Sequence, residues 1–128
     1  NRKSESFMSL TVLVADDSKL SRRSVIRAMP PELEPTVIEA TNGKEAIETL
    51  SGNAVQLVLL DLTMPEIDGV GVLEYLSEQP SSPDVIVISA DFQPEKQRIV
   101  MSLGAKRFLR KPLDKEELAM TLFELGYL

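Results

Sequence analysis

The sequence predicts an α/β domain built on an open, doubly wound parallel sheet of five strands, each followed by a helix. Three observations lead there. Short continuous runs of Val, Ile and Leu recur along the chain, and such runs suit strands buried on both faces. Amphipathic stretches at helical spacing separate them, and strict strand–helix alternation implies parallel pairing with right-handed crossovers. At 128 residues the chain holds five such units, too few for an eight-stranded barrel of about 250 residues.

The elements follow in order. Residues 10–15 (LTVLVA) form the first strand, which ends at Asp16 and Asp17. Residues 18–29 follow as a helix with Ser18 as its N-cap. Pro30-Pro31 closes it, because proline cannot continue the hydrogen-bond ladder. Residues 36–41 (TVIEAT) are the second strand. Asn42 caps a helix over 43–51, with Glu45 in capping-box position and Ile47 and Leu50 on the inner face. Residues 55–60 (VQLVLL) are the third strand, with Asp61 at its C-terminal end. A loop over 62–68 contains Pro65, and 69–78 is helical with Val72, Leu73 and Leu76 at helical spacing. The stretch 80–83 breaks the chain before the fourth strand, 85–89 (VIVIS). A helix over 93–103 carries Pro94 in its first turn, where proline is tolerated, and Gly104 fits the position after its C-cap. Residues 106–109 are a short fifth strand. Asp114 and Glu117 repeat the capping-box pattern before a last helix with Leu118, Leu122 and Leu125 on one face. The strand order expected for this unit is the flavodoxin-like 2-1-3-4-5.

Composition narrows the chemistry. Hydrophobic residues are 43% and charged residues 27%, the balance of a globular chain. The formal net charge is -6, from 14 Lys and Arg against 20 Asp and Glu. Direct nucleic-acid binding calls for a basic surplus to meet phosphates, and none is present. The chain has no cysteine and no histidine. Thiolate nucleophiles, disulfides, Ser-His-Asp catalysis and Cys- or His-bound metals are thereby excluded. Carboxylate, amine, hydroxyl and backbone groups remain, an inventory that suits a hard cation such as Mg²⁺. The longest apolar runs are about four to six residues, far short of the roughly 18 of a spanning helix. Residues 1–7 lack the apolar stretch of a signal peptide, so a cytoplasmic location is expected. Residues 1–8 read as a flexible N-terminal tail or tag remnant, with Met8 a candidate start, and the domain occupies 9–128.

In an open α/β sheet, ligands bind beyond the carboxyl ends of the strands near the switch point. The expected order puts strands 1 and 3 side by side there, bringing Asp16, Asp17 and Asp61 together. Strand 4 ends in Ser89, and Lys111 follows strand 5. Each has an ordinary reading. Asp17 serves as a helix N-cap, Asp61 as a turn residue, Ser89 as a cap or a core hydroxyl bonded to backbone, and Lys111 as a solvated lysine. Their convergence has a different meaning. Clustered carboxylates repel, raise one another's pKa and cost stability unless a cation or lysine sits among them. Such clusters are more often kept for metal binding.

These residues carry a resemblance. The Asp16-Asp17 pair after LTVLVA, Asp61 in LVLLDLTMPEIDG, Ser89-Ala90 after VIVI, and Lys111-Pro112 in AKRFLRKPLD resemble the receiver domain of bacterial response regulators, the chemotaxis-type phosphoacceptor family. The match runs from about 10 to 125, nearly the whole chain. The resemblance implies a phosphorylation-dependent switch of a two-component system. By that resemblance Asp61 would accept a phosphoryl group from the phosphohistidine of a histidine kinase or histidine phosphotransfer protein. Mg²⁺, with Mn²⁺ as an alternative, would be held by Asp17, Asp61 and the backbone carbonyl of Thr63, with Asp16 acting directly or through water. Lys111 and the Ser89 hydroxyl would meet phosphoryl oxygens, and the Lys111-Pro112 bond is expected to be cis, as in the family. Ser89 and Phe108 would form the switch. Phe108 lacks the hydroxyl of the tyrosine often found there; its ordinary reading is a packed core aromatic. The output surface is the fourth helix, fifth strand and fifth helix, which control an effector protein or output domain. Dimerisation through the fourth and fifth helices is an alternative use of it. Thr63 and Asp91 occupy the positions that tune phosphoryl lifetime in the family.

Other readings have less support. Gly69-Val70-Gly71 begins a G-x-G, but Glu74 stands at the third glycine position and the stretch follows a loop. No P-loop motif exists. Arg22, Arg23 and Arg27 read as a solvated helix face or, alternatively, as a docking surface for the kinase partner. A haloacid-dehalogenase-type phosphatase also uses a strand-end Asp with Mg²⁺. Its nucleophile lies on the first strand with a second Asp two residues on, where this chain has Thr63 after Asp61. A pseudo-receiver, a binding module that takes no phosphate, generally lacks an acidic-pair, acceptor or lysine residue, and none is missing here. The chain fits either a stand-alone regulator or a receiver cut from a longer protein.

Overall fold

The apolar runs pair as expected. The computed structural model describes residues 10–128, so the tail assigned to 1–8 lies outside the described residues. Strands β1 (Thr11–Ala15), β2 (Thr36–Ala40), β3 (Leu57–Leu60), β4 (Asp84–Ser89) and β5 (Arg107–Arg110) form one sheet. All pairs are parallel, in the order β2-β1-β3-β4-β5. Five helices alternate with them: α1 (Lys19–Ala28), α2 (Gly43–Gly52), α3 (Gly69–Ser77), α4 (Pro94–Ser102) and α5 (Lys115–Glu124).

Alternation along the strands builds two cores. Leu13, Val58, Leu60, Val85 and Val87 point to one face, under Val72, Leu73 and Leu76 of α3 and Val100 of α4. Val12, Val14, Leu57, Leu59, Ile86 and Ile88 point to the other, under Val25 of α1 and Leu118 and Leu122 of α5. The central strands are therefore apolar on both faces, over residues 12–15 of β1, 57–60 of β3 and 85–88 of β4. Full burial of one such Leu or Ile stabilises by about 1.5–3 kcal/mol.

Local signals set the helix ends. Ser18 caps α1 by accepting from Ser21 N at 3.2 Å, and Asn42 caps α2 by accepting from Glu45 N at 2.8 Å. Glu45 reaches back to the N–H of Thr41 at 2.7 Å, one residue before the cap. Asp68 and Asp114 cap α3 and α5 by accepting from Gly71 N and Glu116 N. Gly104 takes φ +110° after α4, where Gly104 N bonds Met101 O and Ala105 N bonds Val100 O. That paired closure requires the left-handed conformation glycine favours.

Most boundaries agree with the sequence pattern to within a residue, and two of the differences have a visible cause. The third strand begins at Leu57, not at 55. Gln56 instead wraps the start of β1, its N–H on Thr11 O and its side-chain oxygen on Thr11 N. The fifth strand extends to Arg110, because the ladder carries on to pair Arg110 with Ser89.

Candidate functional site

Register brings the acidic residues together. Ala15 sits opposite Ala40 on one side and Leu60 on the other, so β1, β2 and β3 end level. One further bond on each side, Asp16 N to Ala40 O at 3.0 Å and Asp61 N to Ala15 O at 2.9 Å, carries both aspartates just past the sheet. Asp16 and Asp61 are 3% and 8% exposed, whereas Asp17 is exposed. One carboxylate oxygen from each of the three lies within 4.8 Å of the others.

The site's ammonium comes from the far side of the sheet. Lys111 follows β5, and its backbone N–H bonds Ser89 O at 3.0 Å. Its Nζ donates to Asp16 Oδ2 at 2.8 Å and stands 3.6 Å from Asp61 Oδ1. The Lys111–Pro112 peptide bond is cis. Burial pushes the Asp61 carboxyl above the ordinary aspartate range. Lys111 draws it back, the charge of Asp16 raises it again, the Leu62 N–H lowers it, and Asp17 adds a further upward push. A buried carboxylate facing two others is a group that a cation would relieve.

The donor set fits such a cation. Three carboxylates at one point, with one ammonium among them, offer only oxygen ligands, the chemistry of a hard divalent ion such as Mg²⁺. Thr63 is exposed on the loop after Asp61, between the buried side chains of Leu62 and Met64 that anchor that loop.

The remaining residues named from sequence stand around this centre. Ser89 is buried at the end of β4, but its hydroxyl is engaged in the following turn, accepting from Asp91 N at 3.0 Å and donating to Asp91 O at 3.3 Å. Asp91 is half-buried, with Lys96 Nζ at 3.9 Å. Phe108 is half-buried and packs against the core on the α3–α4 face. Arg110, two residues on, lies over the Phe92 ring at 4.3 Å, tying the β4–α4 loop to β5.

Arg22 overturns its sequence reading as part of a solvated face. It is 8% exposed, while Arg23 and Arg27 are exposed. Its Nη1 donates to the Asp16 carbonyl at 2.7 Å and its Nε to Glu39 Oε1 at 2.7 Å. Ser21 also belongs to the site, its hydroxyl donating to Asp16 Oδ2. The available signal was spacing: Ser21 and Arg22 lie three and four residues after the Ser18 cap, on the helix side that overhangs the strand end.

Known proteins show the same arrangement of sequence and fold. A family model for the response regulator receiver domain matches residues 12–123. The chemotaxis protein CheY of Treponema pallidum is 33% identical over 109 residues, covering 83% of this chain and 75% of that protein. A protein-glutamate methylesterase/protein-glutamine glutaminase of Geobacter sulfurreducens is 39% identical over 104 residues, 80% of this chain but 28% of that protein. In a solved CheX–CheY–BeF3–Mg complex from Borrelia burgdorferi, the similar chain superimposes with a TM-score of 0.83 at 28% identity, covering 91% of this chain and 88% of that one.

Proposed function

Because this chain belongs to the response regulator receiver domain family, we propose that it is a phosphorylation-dependent switch of a two-component system with Asp61 as its phosphoryl acceptor. The observation that carries this reading is the cluster of Asp16, Asp17 and Asp61 around the Lys111 ammonium. Mg²⁺ would be held by Asp17, Asp61 and the Thr63 carbonyl, with Asp16 alongside, and would neutralise charge on the phosphoryl oxygens.

The chain's own residues do the rest. An Asp61 oxygen attacks the phosphorus of a phosphohistidine on a kinase or phosphotransfer partner. The P–N bond breaks as the O–P bond forms, and the electron pair leaves with the imidazole, which takes up a proton. Carboxylate is a weak nucleophile, so the rate depends on alignment and charge placement. Lys111, poised between Asp16 and Asp61, meets a second phosphoryl oxygen. The Ser89 hydroxyl leaves the Asp91 backbone for a third, which frees the β4–α4 loop to move. Phe108 then repacks, and the surface of α4, β5 and α5 changes to favour one state of an effector or output domain. Exposed Met101 on α4 and Met120 and Phe123 on α5 supply apolar contact area on that surface. The pseudo-receiver reading is less favoured, because oxygens of the acceptor and the acidic pair lie within 4.8 Å of one another and the lysine ammonium reaches Asp16 and Asp61.

Intact mass after incubation with acetyl phosphate tests the reading. One added phosphoryl group is expected in Mg²⁺, and none in EDTA or in Asp61→Asn. No adduct under any condition, with Mg²⁺ binding intact, supports the pseudo-receiver instead. Steady release of phosphate without an adduct points to phosphatase turnover or to a very short-lived receiver phosphate.

A further inference from the structure

We infer that Ser21 and Arg22, consecutive residues of α1, are positioning residues that grip Asp16 by its side chain and its main chain and thereby set the cation affinity of the acidic cluster. The inference rests on the receiver reading of that cluster. Asp16 lies one residue beyond β1, where the ladder stops supplying partners. Its N–H still reaches Ala40 O, but its carbonyl is taken by a side chain, Arg22 Nη1 at 2.7 Å. The Nε of the same guanidinium donates to Glu39 on β2 at 2.7 Å. One planar fork thus ties α1, the turn after β1 and the neighbouring strand together. A buried guanidinium is costly unless its donors are matched.

Ser21 holds the other end. Its hydroxyl donates to Asp16 Oδ2, which also accepts from Lys111 at 2.8 Å, while Oδ1 accepts from Ser18 N at 2.9 Å. Each polar atom of Asp16 therefore has a protein partner. Asp17 shares a peptide with Asp16, and its exposed carboxylate has no such framework of its own among the described contacts. The position of Asp17 relative to Asp61 is inherited from the grip on Asp16.

Calorimetric titration of Mg²⁺ into the unphosphorylated chain tests this, with thermal unfolding in EDTA as the control for folding. Removing hydrogen bonds behind metal ligands typically weakens binding by about 10–100-fold. Ser21→Ala changes no charge and installs a better helix former, so its Tm is expected to hold while Mg²⁺ affinity falls several-fold. Arg22→Met is expected to weaken Mg²⁺ binding by about tenfold. Charge alone predicts the opposite sign, since removing a cation beside an acidic cluster tightens cation binding. Arg22→Lys keeps the charge but cannot span both acceptors, so it recovers at most part of the loss. Wild-type affinity in Ser21→Ala, together with unchanged or tighter binding in whichever Arg22 variant folds, overturns the inference and leaves these contacts purely structural. Wild-type protein that binds no Mg²⁺ at all overturns the receiver reading beneath it.

Discussion

Asp61 carries opposing demands. Its carboxyl is buried beside two other carboxylates, and burial is the first cause of its raised pKa. A carboxyl raised above its unfolded value contributes stability fully below the unfolded pKa and loses it as pH rises through the folded one. Charged Asp61 therefore costs the fold stability at neutral pH in the absence of a cation. Asp61→Asn is expected to raise Tm in EDTA at pH 7 by a few degrees, on the order of 1 kcal/mol. The advantage shrinks on acidification and disappears below the ordinary aspartate range, where both side chains are neutral. Mg²⁺ is expected to reverse the ranking, because only the wild type retains the full carboxylate set. At a hundred times its dissociation constant a ligand stabilises by about 2.7 kcal/mol. Thermal melts at several pH values, with and without Mg²⁺, check both signs; a wild type that outlasts Asp61→Asn in EDTA at pH 7 contradicts this account.

At the scale of elements, Asp61 is held by how closely α3 starts behind it. A Cβ on Gly69, the first residue of α3, would stand 2.5 Å from the Asp61 carbonyl oxygen and 2.8 Å from Leu62 Cα. Both are backbone atoms, so the β3–α3 loop would have to shift. Gly69→Ala is expected to cost about 1–3 kcal/mol and to slow phosphoryl uptake as well, since the displaced atom belongs to Asp61, the proposed acceptor. Gly52, at the end of α2, is the contrasting case. A Cβ there meets nothing within 4 Å, and Gly52→Ala is expected to gain about 0.4–1 kcal/mol with labelling unchanged. Urea unfolding and acetyl phosphate labelling of the two variants separate the effects. The sequence shows a glycine at both places; only packing tells them apart.

For the whole molecule, the site and the proposed output surface meet through β4 and β5. Ser89 ends β4, its carbonyl bonds Lys111, and Arg110 covers Phe92 on the loop between them. Phosphorylation is therefore expected to change hydrogen exchange in the β4–α4 loop, α4, β5 and the start of α5. The edge formed by β2 and α2 is expected to change little, because among the described residues its hydrogen bonds to the site come from Ala40 and Glu39 on β2. Exchange measured with and without acetyl phosphate, in Mg²⁺, reads this directly. An even change across the molecule, or a change confined to β2 and α2, counts against the coupling route.

The sequence by itself determined the strand and helix order, the parallel sheet and the residues that gather at its edge. It could do so because those properties depend on periodicity and on which residue ends each strand, both local. Asp16, Asp17, Asp61 and Lys111 were all legible in this way. Tertiary structure alone decided which donors surround them. Arg22 looks like any basic residue on a helix until the register of β1 against β2 places the Asp16 carbonyl and Glu39 within reach of one guanidinium. Ser89, legible as a strand-end hydroxyl, turns to Asp91 in the fold because the turn after β4 presents an N–H at hydrogen-bonding distance. Hydrogen-bond partners distant in sequence are set by packing, and a one-dimensional pattern carries no record of those distances.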